Sequence, residues 1–165
     1  MSVNIKIKGI RMEDFTNYKK PSMYIAFPSC TFKCERECGQ KICQNSSLVQ
    51  SKTLEVGVKS IVNKYINNTI TSAIVIGGLE PFDSKEDLFI LISYFRVSTQ
   101  DDIVIYTGYK EEEIKNQLQY LRAYRNIIVK FGRFIPNQQP HYDDVLGVML
   151  ASDNQYAKIY NSLMD

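Results

Sequence analysis

The chain has 165 residues with 20 Lys and Arg against 18 Asp and Glu, a net charge of +2, so it can bury a sizeable core as one domain without crosslinks. Its basic residues are scattered, as at Lys6, Lys8, Lys19 and Lys20, which excludes a phosphate-tracking surface or a polybasic anchor, and no nucleic acid partner is expected. The first residues lack the apolar stretch of a secretion signal and no later apolar run would span a bilayer, so the expected location is cytoplasmic, with no membrane partner.

Val3 to Met12, with Ile5, Ile7 and Ile10 among lysines, alternates as a strand does, and Ser22 to Phe27 reads as a second, joined to it by turn chemistry across Asn17 to Pro21. Next come all four cysteines, Cys30, Cys34, Cys38 and Cys43, within fourteen residues. Clustered so tightly in a chain that needs no staple, they point to metal or redox chemistry and not to disulfides. Leu54 to Tyr65 shows helical spacing through Leu54, Val58, Ile61, Val62 and Tyr65, with a stop at Asn67 and Asn68. Thr71 to Ile76 is a short β-branched run that reads as a buried strand. A helix is expected over Ser84 to Phe95, a strand over Ile103 to Tyr106, a helix over Glu111 to Tyr124 and a strand over Asn126 to Phe131. Val145 to Leu150 reads as a final strand, with Asp153 capping a last helix through Leu163.

This alternation calls for an α/β fold with a mostly parallel sheet and right-handed crossovers, either layered or an abbreviated, partial β/α barrel. Without repeats or linkers, residues 1–165 are expected to form a single domain. Each distinctive motif follows a predicted strand: the cysteine loop, Gly77-Gly78-Leu79-Glu80-Pro81, Tyr106-Thr107-Gly108-Tyr109 and Phe131-Gly132-Arg133-Phe134. Carboxyl ends of parallel strands share one edge, so these motifs should converge where ligands bind such folds.

Thiolates suit both iron and zinc. Structural zinc sites favour two tight cysteine pairs held well apart, whereas here the gaps are three, three and four residues, which favours iron. Three thiolates on a four-iron cluster would leave one iron open to a ligand, while four would close it. Three of the four cysteines suffice for the open site and all four for the closed one. The glycines Gly77 and Gly78 would let a ligand approach the backbone, and Glu80 offers a carboxylate to an ammonium group, although two glycines after a strand also suit a plain turn. Tyr106-Thr107-Gly108-Tyr109, taken alone, is a strand end turning into a helix. His141, the one histidine, reads as a solvated or packed loop residue, and Glu111 to Glu113 as the acidic first turn of a helix.

Cys30-x3-Cys34 with Ile42-Cys43 resembles the cluster loop of the radical S-adenosylmethionine superfamily, Cys-x3-Cys-x-Φ-Cys, with an enlarged segment from Glu35 to Ile42. Cys43-Gln44-Asn45 is similar to the Cys-His-Asn of proteins that activate anaerobic ribonucleotide reductase. Gly77-Gly78-Leu79-Glu80-Pro81 resembles the superfamily's Gly-Gly-Glu/Asp-Pro with one added residue, and Tyr106-Thr107-Gly108-Tyr109 matches those activators outright. Val129 to Phe134 is similar to their Val-Asp-Gly-x-Phe, with Lys130 where the aspartate stands and Phe131 added, and Ser152 to Gln155 to their Ser-x-Asn-Gln. The resemblance runs from about Ile5 to Gln155.

It implies a partial barrel of the radical S-adenosylmethionine type and a [4Fe-4S] cluster on Cys30, Cys34 and Cys43, with Cys38 the alternative to Cys43, and these thiolates would serve as metal ligands and catalytic residues. S-adenosyl-L-methionine would be held by Ile42, Asn45, Gly77, Gly78, Glu80, Tyr106 and Thr107. The implied activity is an oxidoreductase that reductively cleaves S-adenosylmethionine to a 5′-deoxyadenosyl radical and so generates a glycyl radical on anaerobic ribonucleotide reductase, with flavodoxin or ferredoxin as electron donor. Three other readings compete: a radical enzyme modifying another peptide or a small metabolite, an electron-transfer or redox-sensing iron-sulfur protein with Cys38 as fourth ligand, and a zinc-stabilised module.

Overall fold

The computed structural model describes residues 3–28 and 52–160. Ten strands and three α-helices lie within them: β1 (Asn4–Ile7), β2 (Gly9–Asp14), β3 (Ser22–Phe27), β4 (Leu54–Gly57), α1 (Val58–Ile66), β5 (Ala73–Gly78), α2 (Lys85–Ser98), β6 (Asp102–Tyr106), α3 (Lys115–Leu121), β7 (Ile127–Phe131), β8 (His141–Asp143), β9 (Val148–Leu150) and β10 (Tyr156–Tyr160). Short 3₁₀ turns, Pro81–Ser84 and Glu111–Ile114, lead into α2 and α3.

The main sheet has six strands in the order β10-β7-β6-β5-β3-β2. Its four central strands run parallel, while β2 on β3 and β10 on β7 are antiparallel. The sheet is therefore mixed, and among the described residues it is open, with β2 and β10 as its edges. Strands β5 and β7 are buried at every position, which is why they read as unbroken apolar runs: a strand covered on both faces has no solvated side to carry polar residues.

The two faces are covered differently. Ile25, Ile74, Ile76, Ile105, Val129 and Phe131 meet α1, α2 and α3 through Ile61, Tyr65, Leu88, Leu91, Phe95 and Leu121. Ala73, Val75, Val104, Ile128 and Ala157 form the opposite face, whose cover is Tyr18, Leu146 and Leu150. No described helix lies there. Lys19 N–H donates to the Leu146 carbonyl at 2.8 Å, and Asp143 accepts from the N–H groups of Leu146 at 2.9 Å and Ala157 at 3.1 Å. These bonds fix the β8–β9 hairpin across the helix-free face.

Several elements differ from expectation. The first run divides at Lys8: β1 pairs with β4 in a separate two-stranded ribbon, and β2 pairs with β3. Leu54 to Gly57 is a strand and not the start of a helix, because Leu54 and Val56 extend along β1 and the helix begins only at Val58, after the extended Gly57. Val148–Leu150 pairs with β8 instead of joining the main sheet. The helix expected after Asp153 is β10, whose Tyr156 and Tyr160 flank the Phe131 ring at 5.4 and 6.1 Å while Ala157 enters the other face. Among the described residues no helix is long and apolar enough to cross a membrane.

Candidate functional site

The parallel strands β3, β5, β6 and β7 end at Phe27, Gly78, Tyr106 and Phe131, so their carboxyl ends form one edge. Ala26 pairs with Gly77 and Tyr106 with Lys130, while the Ile76–Ile105 pair sets Gly77 beside Tyr106. Side chains alternate along a strand, so Ala26, Gly77, Tyr106 and Lys130 make the uppermost row of the helix-free face.

Both glycines at the end of β5 are demanded by packing. A Cβ on Gly77 would lie 2.7 Å from the Tyr24 hydroxyl. Gly78 has φ +86°, and its Cβ would lie 2.6 Å from Phe27 N and 2.8 Å from Ala26 Cα. Its N–H donates to the Tyr24 hydroxyl at 2.6 Å, and Leu79 N–H donates to the Phe27 carbonyl at 3.1 Å. The chain after β5 is thereby drawn against β3, directly before the cysteine-bearing stretch in sequence.

Glu80 is buried, 5% exposed, and three donors meet its carboxylate: Thr107 Oγ1 at 2.8 Å, Gly108 N–H at 2.8 Å and Phe82 N–H at 3.1 Å. It ties the end of β5 to the end of β6. Burial pushes its carboxyl up to about 7 against the lowering effect of those donors. Thr107 also accepts from Tyr109 N–H at 3.0 Å, and its own N–H donates to the Lys130 carbonyl at 2.9 Å. Tyr106 donates its hydroxyl to the Asn17 carbonyl at 2.6 Å, and burial holds its phenol well above the usual range.

Lys130, 7% exposed, donates to the Gly132 carbonyl at 3.1 Å and lies 5.4 Å from the centroid of the Tyr106 ring. Burial lowers its ammonium to about 8, opposed by the charge of Glu80. Gly132 has φ +104° and is clamped by the segment that follows β9. Gln155 Nε2 donates to its carbonyl at 3.3 Å, and Asn154 Nδ2 to the Arg133 carbonyl at 2.8 Å. The Gln155 oxygen in turn accepts from Ala151 and Ser152 N–H, both at 3.1 Å.

Of the residues singled out from sequence, Gly77, Gly78, Glu80, Tyr106 and Thr107 meet at this edge. Cys30, Cys34, Cys38, Cys43, Ile42 and Asn45 lie outside the described residues. Among the described residues no group of three or more His, Cys, Asp or Glu is placed to hold a metal ion. Sequence reasoning passed over the hydrogen bond from Gly78 to Tyr24 and the depth of Lys130. The period-2 alternation of β7 was the available signal for the second, whereas the first depends on the pairing of β3 with β5.

Two buried groups of opposite sign give a pH signature. Glu80 moves from 4.5 to about 7 on folding, so the folded protein keeps this proton longer than the unfolded chain does. Its contribution is full at low pH and is lost as pH rises toward 7, on the order of 3 kcal/mol. Lys130 moves from 10.5 to about 8, so here the unfolded chain keeps the proton longer, and stability recovers as pH rises above 8. Urea unfolding should therefore show a stability minimum between about pH 7 and 8. Glu80→Gln should flatten the acid limb and Lys130→Met the alkaline limb. A limb that survives in its own variant belongs to other groups.

A family model described as a 4Fe-4S single cluster domain matches residues 19–156, a span that holds all four cysteines and every edge residue above. Comparison with curated protein sequences gives no match.

Proposed function

Because the chain belongs to the family of 4Fe-4S single cluster domains, we propose that it is a redox protein built around one [4Fe-4S] cluster on the thiolates of Cys30, Cys34 and Cys43. The family match is the observation that carries this function. The donor set agrees with it, since thiolates are the ligands soft iron prefers. So does the position of the edge, because β3 ends at Phe27, three residues before Cys30.

The finer reading is a radical S-adenosylmethionine enzyme. Held by three thiolates, such a cluster would have one iron open to S-adenosylmethionine and would supply the electron for reductive cleavage of its carbon–sulfur bond. In this reading the residues of the chain bind and orient. Gly77 and Gly78 would offer backbone carbonyls to the ligand's amino group, Ile42 and Asn45 would serve the adenosyl group, and Tyr106 and Thr107 would fix the adjoining strand end. The hydrogen is taken from a glycine of a partner enzyme, anaerobic ribonucleotide reductase, with flavodoxin or ferredoxin as electron donor in an anaerobic cytoplasm. Another peptide or a small metabolite in place of that glycine would leave the ligand site unchanged.

A second reading is an electron-transfer or redox-sensing protein in which Cys38 is the fourth ligand. One observation favours it: three donors of the chain itself occupy Glu80, the carboxylate that the radical reading would offer to an ammonium group. S-adenosylmethionine cleavage by anaerobically reconstituted, dithionite-reduced protein separates the two. The radical reading expects 5′-deoxyadenosine in at least stoichiometric amount. An intact cluster that yields none establishes the carrier or sensor.

A further inference from the structure

Lys130 carries a charge that the fold does not use. It is more than nine-tenths buried, a depth lysine reaches almost only when paired. Among the described residues its polar partners are one carbonyl and one aromatic face, and no carboxylate forms an ion pair with it. An ammonium has three N–H donors, and the Gly132 carbonyl takes one. The charge set against it is that of Glu80, which is already engaged by three donors. Methionine would fill the same space without the desolvation cost of an unpaired cation.

Its place in the sheet supplies the use. Lys130 is the last parallel-strand residue in the row Ala26, Gly77, Tyr106, Lys130 on the helix-free face, with Ala157 of β10 paired beside it, at the carboxyl edge where open α/β sheets take their ligands. The Tyr106 ring lies beneath the ammonium, and Tyr106 is itself anchored to the Asn17 carbonyl. Gln155 and Asn154 hold the Gly132 turn that receives the one committed N–H. The lysine head is thus positioned by two groups, the Gly132 carbonyl and the Tyr106 ring, that are themselves fixed.

We propose that Lys130 is an anion-binding residue, whose ammonium donates to a carboxylate or phosphate oxygen of a ligand seated at the carboxyl edge of the sheet. A carboxylate arm from S-adenosylmethionine rests on the radical reading above, whereas a phosphate arm does not.

The test is calorimetric binding to the full chain, purified anaerobically with its cluster, as wild type, Lys130→Met and Lys130→Arg. The probes are S-adenosylmethionine, its decarboxylated analogue and inorganic phosphate. If the ligand is S-adenosylmethionine, Lys130→Met should weaken it about tenfold, about 1.4 kcal/mol, and leave the decarboxylated analogue unchanged, while Lys130→Arg retains most of the affinity. If wild type binds neither sulfonium compound, the radical reading fails. Phosphate binding that disappears in Lys130→Met then still supports the anion site. Equal weakening of both sulfonium compounds, or no Lys130-dependent binding of any probe, overturns the proposal. The thermal midpoint of Lys130→Met should be no lower than that of wild type, so lost binding is not lost folding.

Discussion

Replacing Cys43 by alanine should abolish the iron-sulfur cluster, and replacing Cys38 should leave it in place. The expectation follows from how thiolates hold iron: with three protein ligands in all, removal of one leaves two irons without a thiolate, and the cluster is not retained. Iron in anaerobically purified Cys43→Ala should fall from about four atoms per chain to below one, with loss of the reduced-state electron-spin signal. Cys38→Ala should keep both. The reverse result would set Cys38 as third ligand and remove Ile42 and Asn45 from any part in ligand binding. Loss of the cluster in both variants would mean four thiolates and a closed site, the arrangement of an electron carrier.

The second large effect is expected at Gly78. Alanine there keeps a left-handed backbone at φ +86° and sets a methyl group 2.6 Å from Phe27 N and 2.8 Å from Ala26 Cα. The backbone conformation costs roughly 1–2 kcal/mol, and forcing atoms into a packed strand pair adds roughly 1–3 kcal/mol. The total, about 3 kcal/mol or more, is a large share of the roughly 5–15 kcal/mol that holds a domain folded. Urea denaturation of cluster-free protein would measure it. Gly77→Ala is the contrasting case, because the nearest atom is the Tyr24 hydroxyl at 2.7 Å, the far end of a side chain. Tyr24→Phe should rescue much of Gly77→Ala and little of Gly78→Ala. A Gly78→Ala protein within about 1 kcal/mol of wild type would show that β3 yields there, and the packing account of the glycine would be wrong.

The parallel core was legible in the sequence because burial on both faces leaves β-branched runs such as Ile74 to Ile76, Ile103 to Ile105 and Ile127 to Val129, which few other environments select. The two ends of the chain were harder. In β10, Tyr156, Ile159 and Tyr160 fall at helical spacing, yet Tyr156 and Tyr160 pack on Phe131, a partner that only the sheet supplies. At β4, Leu54 and Val56 alternate for too few residues to stand out from the helix they precede. Convergence of Gly77, Gly78, Glu80, Tyr106 and Thr107 followed from topology, since strand ends share an edge. How Glu80 is spent did not follow: two of its three donors, Thr107 and Gly108, lie just past the end of the neighbouring strand β6, and pairwise register is invisible in one sequence. The depth of Lys130 was passed over for a different reason. Lysine reads as surface, and only the cover from Tyr106 and the Gly132 turn takes it out of water.

The two-stranded ribbon of β1 and β4 has a bearing on how the cluster assembles. Residues 29–51, which contain all four cysteines, begin one residue beyond the buried sheet strand β3 and end shortly before β4, itself fastened to β1 from Asn4–Gly57 to Ile7–Leu54. The described strands on either side of the cysteine-bearing stretch are therefore fixed to the same folded body. The chain entropy of closing that stretch, which grows only with the logarithm of its length, is charged to folding of the sheet and not to capture of iron. Folding thus raises the effective concentration of one thiolate around another before any metal arrives. If these cysteines hold the cluster as proposed, metal loading would be a late event on a prepared scaffold, and fraying of β1 from β4 would be felt first as a loss of affinity for iron.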